Sequence, residues 1–156
     1  MTQKFCVSKG LIKIAQVFYK LVLFILLRQK KPEKQLPIAF SLTVHKGSRL
    51  LDRIVRAIYV PNNVYCIHID KNSSEVFRKA IQAIIRCLPN VFIAANSVDI
   101  HWGHITAVEV QFSCMEELLK SQAKWEDYIS LVGQDFPLYD YKQVVKALRV
   151  LTIPTT

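Results

Sequence analysis

Three short polar clusters stand where apolar runs of this chain give way to the next segment: Thr43-Val44-His45-Lys46, Asp70-Lys71-Asn72 and Gly133-Gln134-Asp135. A carboxylate such as Asp70, between a strand end and a helix start, can accept hydrogen bonds from a ribose or a uracil ring. Helix amides beside it would favour a diphosphate. The plainer alternative is an Asp that caps the following helix. Lys71 suits either a phosphate contact or a solvated surface. His45 ends the first run in the equivalent place, as a structural hydrogen-bond partner or a ligand contact. Beside it, the backbone of Thr43 and Val44 is available to read a base edge.

A denser group follows at His101-Trp102-Gly103-His104. Trp102 suits stacking on a flat ring or sugar face, or plugging the underside of a loop. Two histidines three apart lack a third ligand at supporting spacing, so no metal is expected there. Asp135 would face the same crevice as the other clusters. A divalent ion held against a diphosphate calls for a pair of acidic residues, and Gly133-Gln134-Asp135 supplies one. No G-x-G-x-x-G follows the first apolar run and no G-x-x-x-x-G-K-[ST] occurs, which argues against a dinucleotide dehydrogenase and a P-loop enzyme.

The elements that must position these residues alternate regularly. Pro37–His45 and Val64–Asp70 read as buried strands, Val91–Ala94 as a third and Tyr128–Val132 as a fourth. Between them lie helical patterns: Leu50, Leu51, Ile54, Val55 and Ile58 after Gly47-Ser48; then Phe77, Ala80, Ile81, Ile84 and Ile85, with Asn72, Ser73 or Ser74 as N-cap. Thr106 can cap a long helix carrying Val108, Phe112, Met115, Leu118 and Leu119. A last helix starts near Asp140 and runs through Val144, Val145 and Leu148. Four strands alternating with four helices predict an α/β fold with a mostly parallel sheet. Ligands of such sheets sit at the carboxyl ends of the strands.

At 156 residues and 51% hydrophobic, the chain can bury one ordinary core. Its net charge of +9 is concentrated in an arm: residues 1–36 carry eight basic side chains against Glu33 alone. A nucleic-acid reader would spread that charge over the folded domain, so no nucleic-acid partner is expected. Within the arm, Leu11–Leu27 is apolar but interrupted by Lys13 and Lys20. Lys9, Lys13, Gln16 and Lys20 share one helical face, which fits a helix lying in a membrane interface. A snorkelling signal anchor and a helix docked on protein are the alternatives. Cys6, Cys66, Cys87 and Cys114 show no close C-x-x-C pairing, so from spacing alone their connectivity stays open. The chain thus divides into the arm 1–36, an α/β segment 37–151 and a tail 152–156.

Taken in order, the blocks Pro37–His45, Leu51–Pro61, Tyr65–Asp70, Asn90–Ala94 and Gly133–Pro137 resemble the core 2/I-branching β-1,6-N-acetylglucosaminyltransferases, the mucin-type branching enzymes. An unrelated flavodoxin-like binder would share the periodicity but not these blocks. The resemblance implies a GT-A-like, Rossmann-like domain, of which this chain holds the N-terminal half. It also implies a single-pass type II Golgi membrane protein with a lumenal domain, and UDP-GlcNAc as donor. Transfer would be inverting and metal-independent, without a cofactor, onto a glycan acceptor of a glycoprotein. Donor contacts are implied at Thr43, Val44, His45, Asp70, Lys71, Asn72 and Trp102. Where this chain has Trp102-Gly103-His104-Ile105 the family typically carries Tyr-Ala-Ser-Trp, a local departure at the donor or acceptor contacts. Cys66 and Cys114 match a family disulfide, which suits an oxidising lumen, and Cys87 matches a bridge whose partner lies upstream. The family's general-base glutamate and its diphosphate-binding basic residues are implied to lie beyond Thr156. A non-catalytic, truncated form with weak or no UDP binding is the alternative reading.

Overall fold

Strand β1 (Ile38–Val44) is apolar or small at almost every position, and six of its seven residues are buried. Strand β2 (Val64–Ile69) is buried throughout. Continuous burial of this kind marks strands covered on both faces, as parallel sheets require. Strands β3 (Val91–Ile93) and β4 (Asp127–Val132) complete the sheet in the order β3-β2-β1-β4. Every pairing is parallel: Phe40 lies beside Tyr65 and Ile129, Ser41 beside Cys66 and Ser130. Helices α1 (Ser48–Ile58), α2 (Glu75–Ile85) and α3 (Thr106–Lys120) supply the three crossovers, and α4 (Tyr141–Leu151) follows β4. This is the α/β, Rossmann-like architecture expected of a GT-A-like domain. The computed structural model describes residues 36–101 and 103–151. The arm expected at 1–36 lies outside the described residues save for Leu36, as do Cys6, Trp102 and the tail. Among the described residues no helix is long and apolar enough to cross a membrane.

The two-residue alternation of β1 sends its side chains to two cores. Ala39 joins Val64, Cys66, Ala94, Cys114 and Leu118 on the face covered by α3, with Phe92, Trp125 and Tyr128 packed against them. A disulfide links Cys66 of β2 to Cys114 of α3 within this cluster. Closing a loop of 48 residues stabilises the fold by about 4 kcal/mol in the chain-entropy model. On the opposite face Phe40, Ile129 and Leu131 meet Ala57 and Ile58 of α1 and Tyr141 and Val144 of α4 around a small apolar hollow of about 120 Å³. Tyr65 anchors that side: its hydroxyl donates to the Ile58 carbonyl at 2.7 Å and accepts the Val60 N–H at 2.8 Å. Burial pushes its phenol well above the ordinary tyrosine range.

Helix boundaries follow local chemistry. Gly47 sits at φ 80°, a left-handed conformation that suits glycine, and accepts the Leu50 and Leu51 amides that begin α1. Ser74, rather than Asn72 or Ser73, caps α2 by accepting the Phe77 N–H at 3.2 Å. Asp140 and Gln143 close a reciprocal capping box on α4, each side chain accepting the other's backbone N–H.

Helix α3 departs from expectation in two ways. Thr106 is its first helical residue instead of its cap, and the Thr106 hydroxyl accepts the His101 N–H at 3.2 Å. The face turned to the sheet is Val110, Cys114 and Leu118, while Val108, Phe112 and Leu119 are exposed. This helix carries apolar stripes on two sides, and the disulfide fixes which one faces inward.

Candidate functional site

The strand order reverses beside β1: the chain steps outward to β2 and β3, then returns to place β4 on the other side of β1. Such a switch point opens a crevice at the carboxyl ends of the strands, the usual ligand site of open α/β sheets. Here three successive carbonyls at the end of β1 gather the neighbouring segments. The Thr43 carbonyl accepts the Gly133 N–H at 2.8 Å and the Val44 carbonyl accepts the Asp70 N–H at 2.9 Å. The His45 carbonyl accepts the Ser73 hydroxyl at 3.0 Å. All three polar clusters of the sequence therefore converge at the carboxyl ends of the strands. Gly133 suits this approach, since a Cβ there would stand 3.0 Å from Val44 Cγ1 and 3.4 Å from the Thr43 carbonyl oxygen, a tight fit.

Asp70 is 6% exposed, and both carboxylate oxygens are engaged. Its Oδ1 accepts the Asn72 N–H at 2.7 Å and its Oδ2 accepts the Ile100 N–H at 2.9 Å. It is thus neither a helix cap nor a bare acceptor: it turns the chain at 70–72 and clamps the segment after β3. The Asn72 amide adds a 2.6 Å bond to Asp99. From α2, the Arg78 guanidinium reaches the Asp70 and Lys71 carbonyls and the Ser97 hydroxyl. Lys71, Asn72, His45 and Lys46 have exposed side chains, whereas Val44 is buried and Thr43 half-buried. What Thr43 and Val44 contribute through their carbonyls is already committed to Gly133 and Asp70.

Asp135 stands exposed beyond β4, and its carboxylate accepts the Val132 N–H at 2.8 Å, closing its own turn. Phe136 next to it lies under the Arg53 guanidinium, 5.7 Å from ring centroid. His101 and His104 pack edge to face at 5.8 Å, with His101 Nε2 3.4 Å from Asp99 Oδ2. Among the described residues no group of three or more His, Cys, Asp or Glu side chains could hold a metal ion. Trp102, between those histidines, is outside the described residues.

Sequence reasoning passed over His68. It is fully buried at the end of β2, and its Nε2 accepts the Val98 N–H at 3.0 Å. Burial holds its pKa below the ordinary histidine value, helped by the Arg78 charge and opposed by Asp70. The one available signal was an ionisable residue inside an otherwise apolar strand, two positions before the strand-end carboxylate.

The family model for the core-2/I-branching enzyme matches residues 38–154. A Rattus norvegicus protein named beta-1,3-galactosyl-O-glycosyl-glycoprotein beta-1,6-N-acetylglucosaminyltransferase 3 is 41% identical over 128 residues, 82% of this chain and 29% of the relative. The Danio rerio protein of the same name numbered 4 is 45% identical over 119 residues, covering 76% and 28% of the two chains. A Bovine herpesvirus 4 protein with the unnumbered name is 39% identical over 128 residues, 82% of this chain and 29% of its own. The chain thus spans less than a third of the length of the curated relatives it matches. With the family model covering most of the sequence and the α/β fold in agreement, the chain belongs to the core-2/I-branching enzyme family.

Proposed function

We propose that this chain forms the donor-holding part of a β-1,6-N-acetylglucosaminyltransferase, with UDP-GlcNAc lying across the carboxyl ends of β1 and β4 and against the 70–72 turn. The observation that carries this reading is the convergence of Thr43–His45, Asp70–Ser73 and Gly133 through three hydrogen bonds at the switch point. Thr43, Val44, His45, Asp70 and Asn72 shape the nucleoside end, Lys71 stands beside the diphosphate, and Trp102 supplies a stacking surface. In an inverting transfer, an acceptor hydroxyl of a glycoprotein glycan attacks the anomeric carbon as its bond to UDP breaks. A base must take the hydroxyl proton, and positive charge must meet the departing diphosphate. The reading is metal-independent, since the cluster after β4 offers Asp135 alone. The disulfide between Cys66 and Cys114 suits an oxidising compartment. It is compatible with a Golgi-lumenal domain held by the basic, apolar arm as a type II membrane protein.

A second reading, donor binding without transfer, draws on one observation: the carboxylates around the strand ends have other work. Asp70 holds two amides and Asp135 holds Val132. Glu117 accepts the Ala95 N–H at 2.9 Å, Glu116 pairs with Lys120, and Asp140 caps α4. Calorimetry with UDP and a radiolabelled UDP-GlcNAc transfer assay onto a β-1,3-galactosyl O-glycan separate the cases. The expected result for this chain is weak UDP binding without transfer. Turnover by the chain would place a base among these residues, and absence of any UDP binding would remove the donor-site reading.

A further inference from the structure

The segment 94–101, between β3 and α3, is laid along the end of β2 as a latch. The Ala94 N–H reaches the Ile67 carbonyl at 2.9 Å, the Lys71 N–H reaches the Val98 carbonyl at 3.0 Å, and the Ser97 hydroxyl bonds the Ile69 carbonyl. Glu117 of α3 fastens its start through the Ala95 N–H. Its remaining inward-facing amides, Val98 and Ile100, go to two side chains of one segment, His68 and Asp70. The latch leads directly into position 102.

Because Nε2 of His68 receives an N–H, it must present a lone pair, and the neutral ring then carries its proton on Nδ1. That Nδ1 is buried and has no hydrogen-bond partner among the described residues. A buried donor left without an acceptor is a cost, and the bond that Nε2 accepts from Val98 is what the ring returns for it.

We propose that His68 is a positioning residue for the donor site: by accepting the Val98 N–H it latches 94–101 onto the end of β2 and thereby sets the Ile100–Asp70 contact. The proposal rests on the donor-site reading for its consequence, though not for the latch itself. A proton on Nε2 turns the acceptor into a donor facing a donor and opens the latch. The charged groups around the ring are Asp70, two residues on, and Arg78 of α2, whose guanidinium bonds both the Asp70 carbonyl and Ser97. Glu117 of α3 acts at the start of the latch, while Asp99 and His101 pair with each other at its far end.

The test compares the full chain with His68→Gln, whose amide oxygen can accept the same N–H, and His68→Leu, which cannot. Amide exchange at Val98 and Ile100, corrected for intrinsic rates, is followed from about pH 7.5 to about pH 5.5 by NMR, and UDP affinity by calorimetry over the same range. The wild-type latch amides are expected to lose about tenfold in protection on acidification, the Gln variant to show no such step, and the Leu variant to start unprotected. UDP affinity depends on the latched fraction, so it should fall in the Leu variant, whose latch is open, and hold in the Gln variant. A pH step shared by wild type and Gln variant, or a Leu variant with wild-type protection, overturns the latch. A Leu variant that loses protection yet binds UDP as the wild type does overturns its role in positioning the donor. If no form binds UDP at any pH, the donor-site reading fails and the exchange data alone decide the latch.

Discussion

The carboxylate of Asp70 accepts the backbone N–H of Ile100 at 2.9 Å, across thirty positions of sequence. One side chain at the end of β2 thereby fixes the entry to α3 as well as its own turn. The same residue reaches β1 through its amide and the Val44 carbonyl. Its place is set by three segments before any ligand arrives.

Replacing Asp70 by Ala leaves the part-buried Asn72 and Ile100 amides without their acceptor. The expected loss is about 2–4 kcal/mol of folding stability, read as a lower urea midpoint with an unchanged slope. Asp70→Asn should recover only part of it, because one of its two positions becomes an N–H₂ facing a backbone N–H. Equal stability of wild type and Asp70→Ala would show that the clamp carries no energy.

Gly133→Ala should destabilise by about 1–3 kcal/mol, since the new methyl crowds Val44 Cγ1 and the backbone of Thr43. Adding Val44→Ala removes that methyl's neighbour and should restore part of the loss. A double-mutant cycle in thermal denaturation measures the coupling. Additive effects would mean that β1 and β4 do not meet as closely as described.

Removing the Cys66–Cys114 bridge by paired Ala substitution should cost about 4 kcal/mol and release α3 first. Far-UV and near-UV circular dichroism on the double variant check this: near-UV signal from Trp125 and Tyr128, which pack on the bridge cluster, should collapse at lower denaturant. Retention of the wild-type midpoint would contradict the role given to the bridge.

Acidification should weaken the fold through His68. Its folded pKa lies below 6.5, so the unfolded chain binds the proton more readily as pH falls through 6.5. Stability is therefore complete above that value and declines beneath it, by at most about 1.4 kcal/mol per pH unit. The decline levels off once the folded ring also protonates. Comparing stability against pH for wild type and His68→Gln isolates the contribution, and matching slopes would refute it.

Much of the fold was legible because β1 and β2 are apolar, β-branched or aromatic almost throughout, and because Ser74 and Gly47 punctuate the chain in recognisable ways. Helix α3 was legible as a long helix starting at Thr106, but of its expected stripe only Leu118 is buried, since Val108, Phe112, Met115 and Leu119 obey the same period as Val110 and Cys114 and periodicity alone cannot choose between two stripes on one helix. The polar clusters could be read as neighbours from the rule that strand ends converge. What Asp70 does there could not, because its partners are backbone amides of Asn72 and Ile100, and any residue type supplies those. His68 was hidden for the same reason. Its partner is an amide thirty residues away, reached only because 94–101 doubles back along β2.

The most direct measurement of the central claim is a UDP titration of the isotopically labelled chain followed through its backbone amide resonances. The account predicts saturable shifts at Thr43–Lys46, Asp70–Ser73 and Gly133–Asp135 together, with a single affinity. Shifts confined to other regions, or clusters that respond with separate affinities, would contradict a shared donor site at these strand ends.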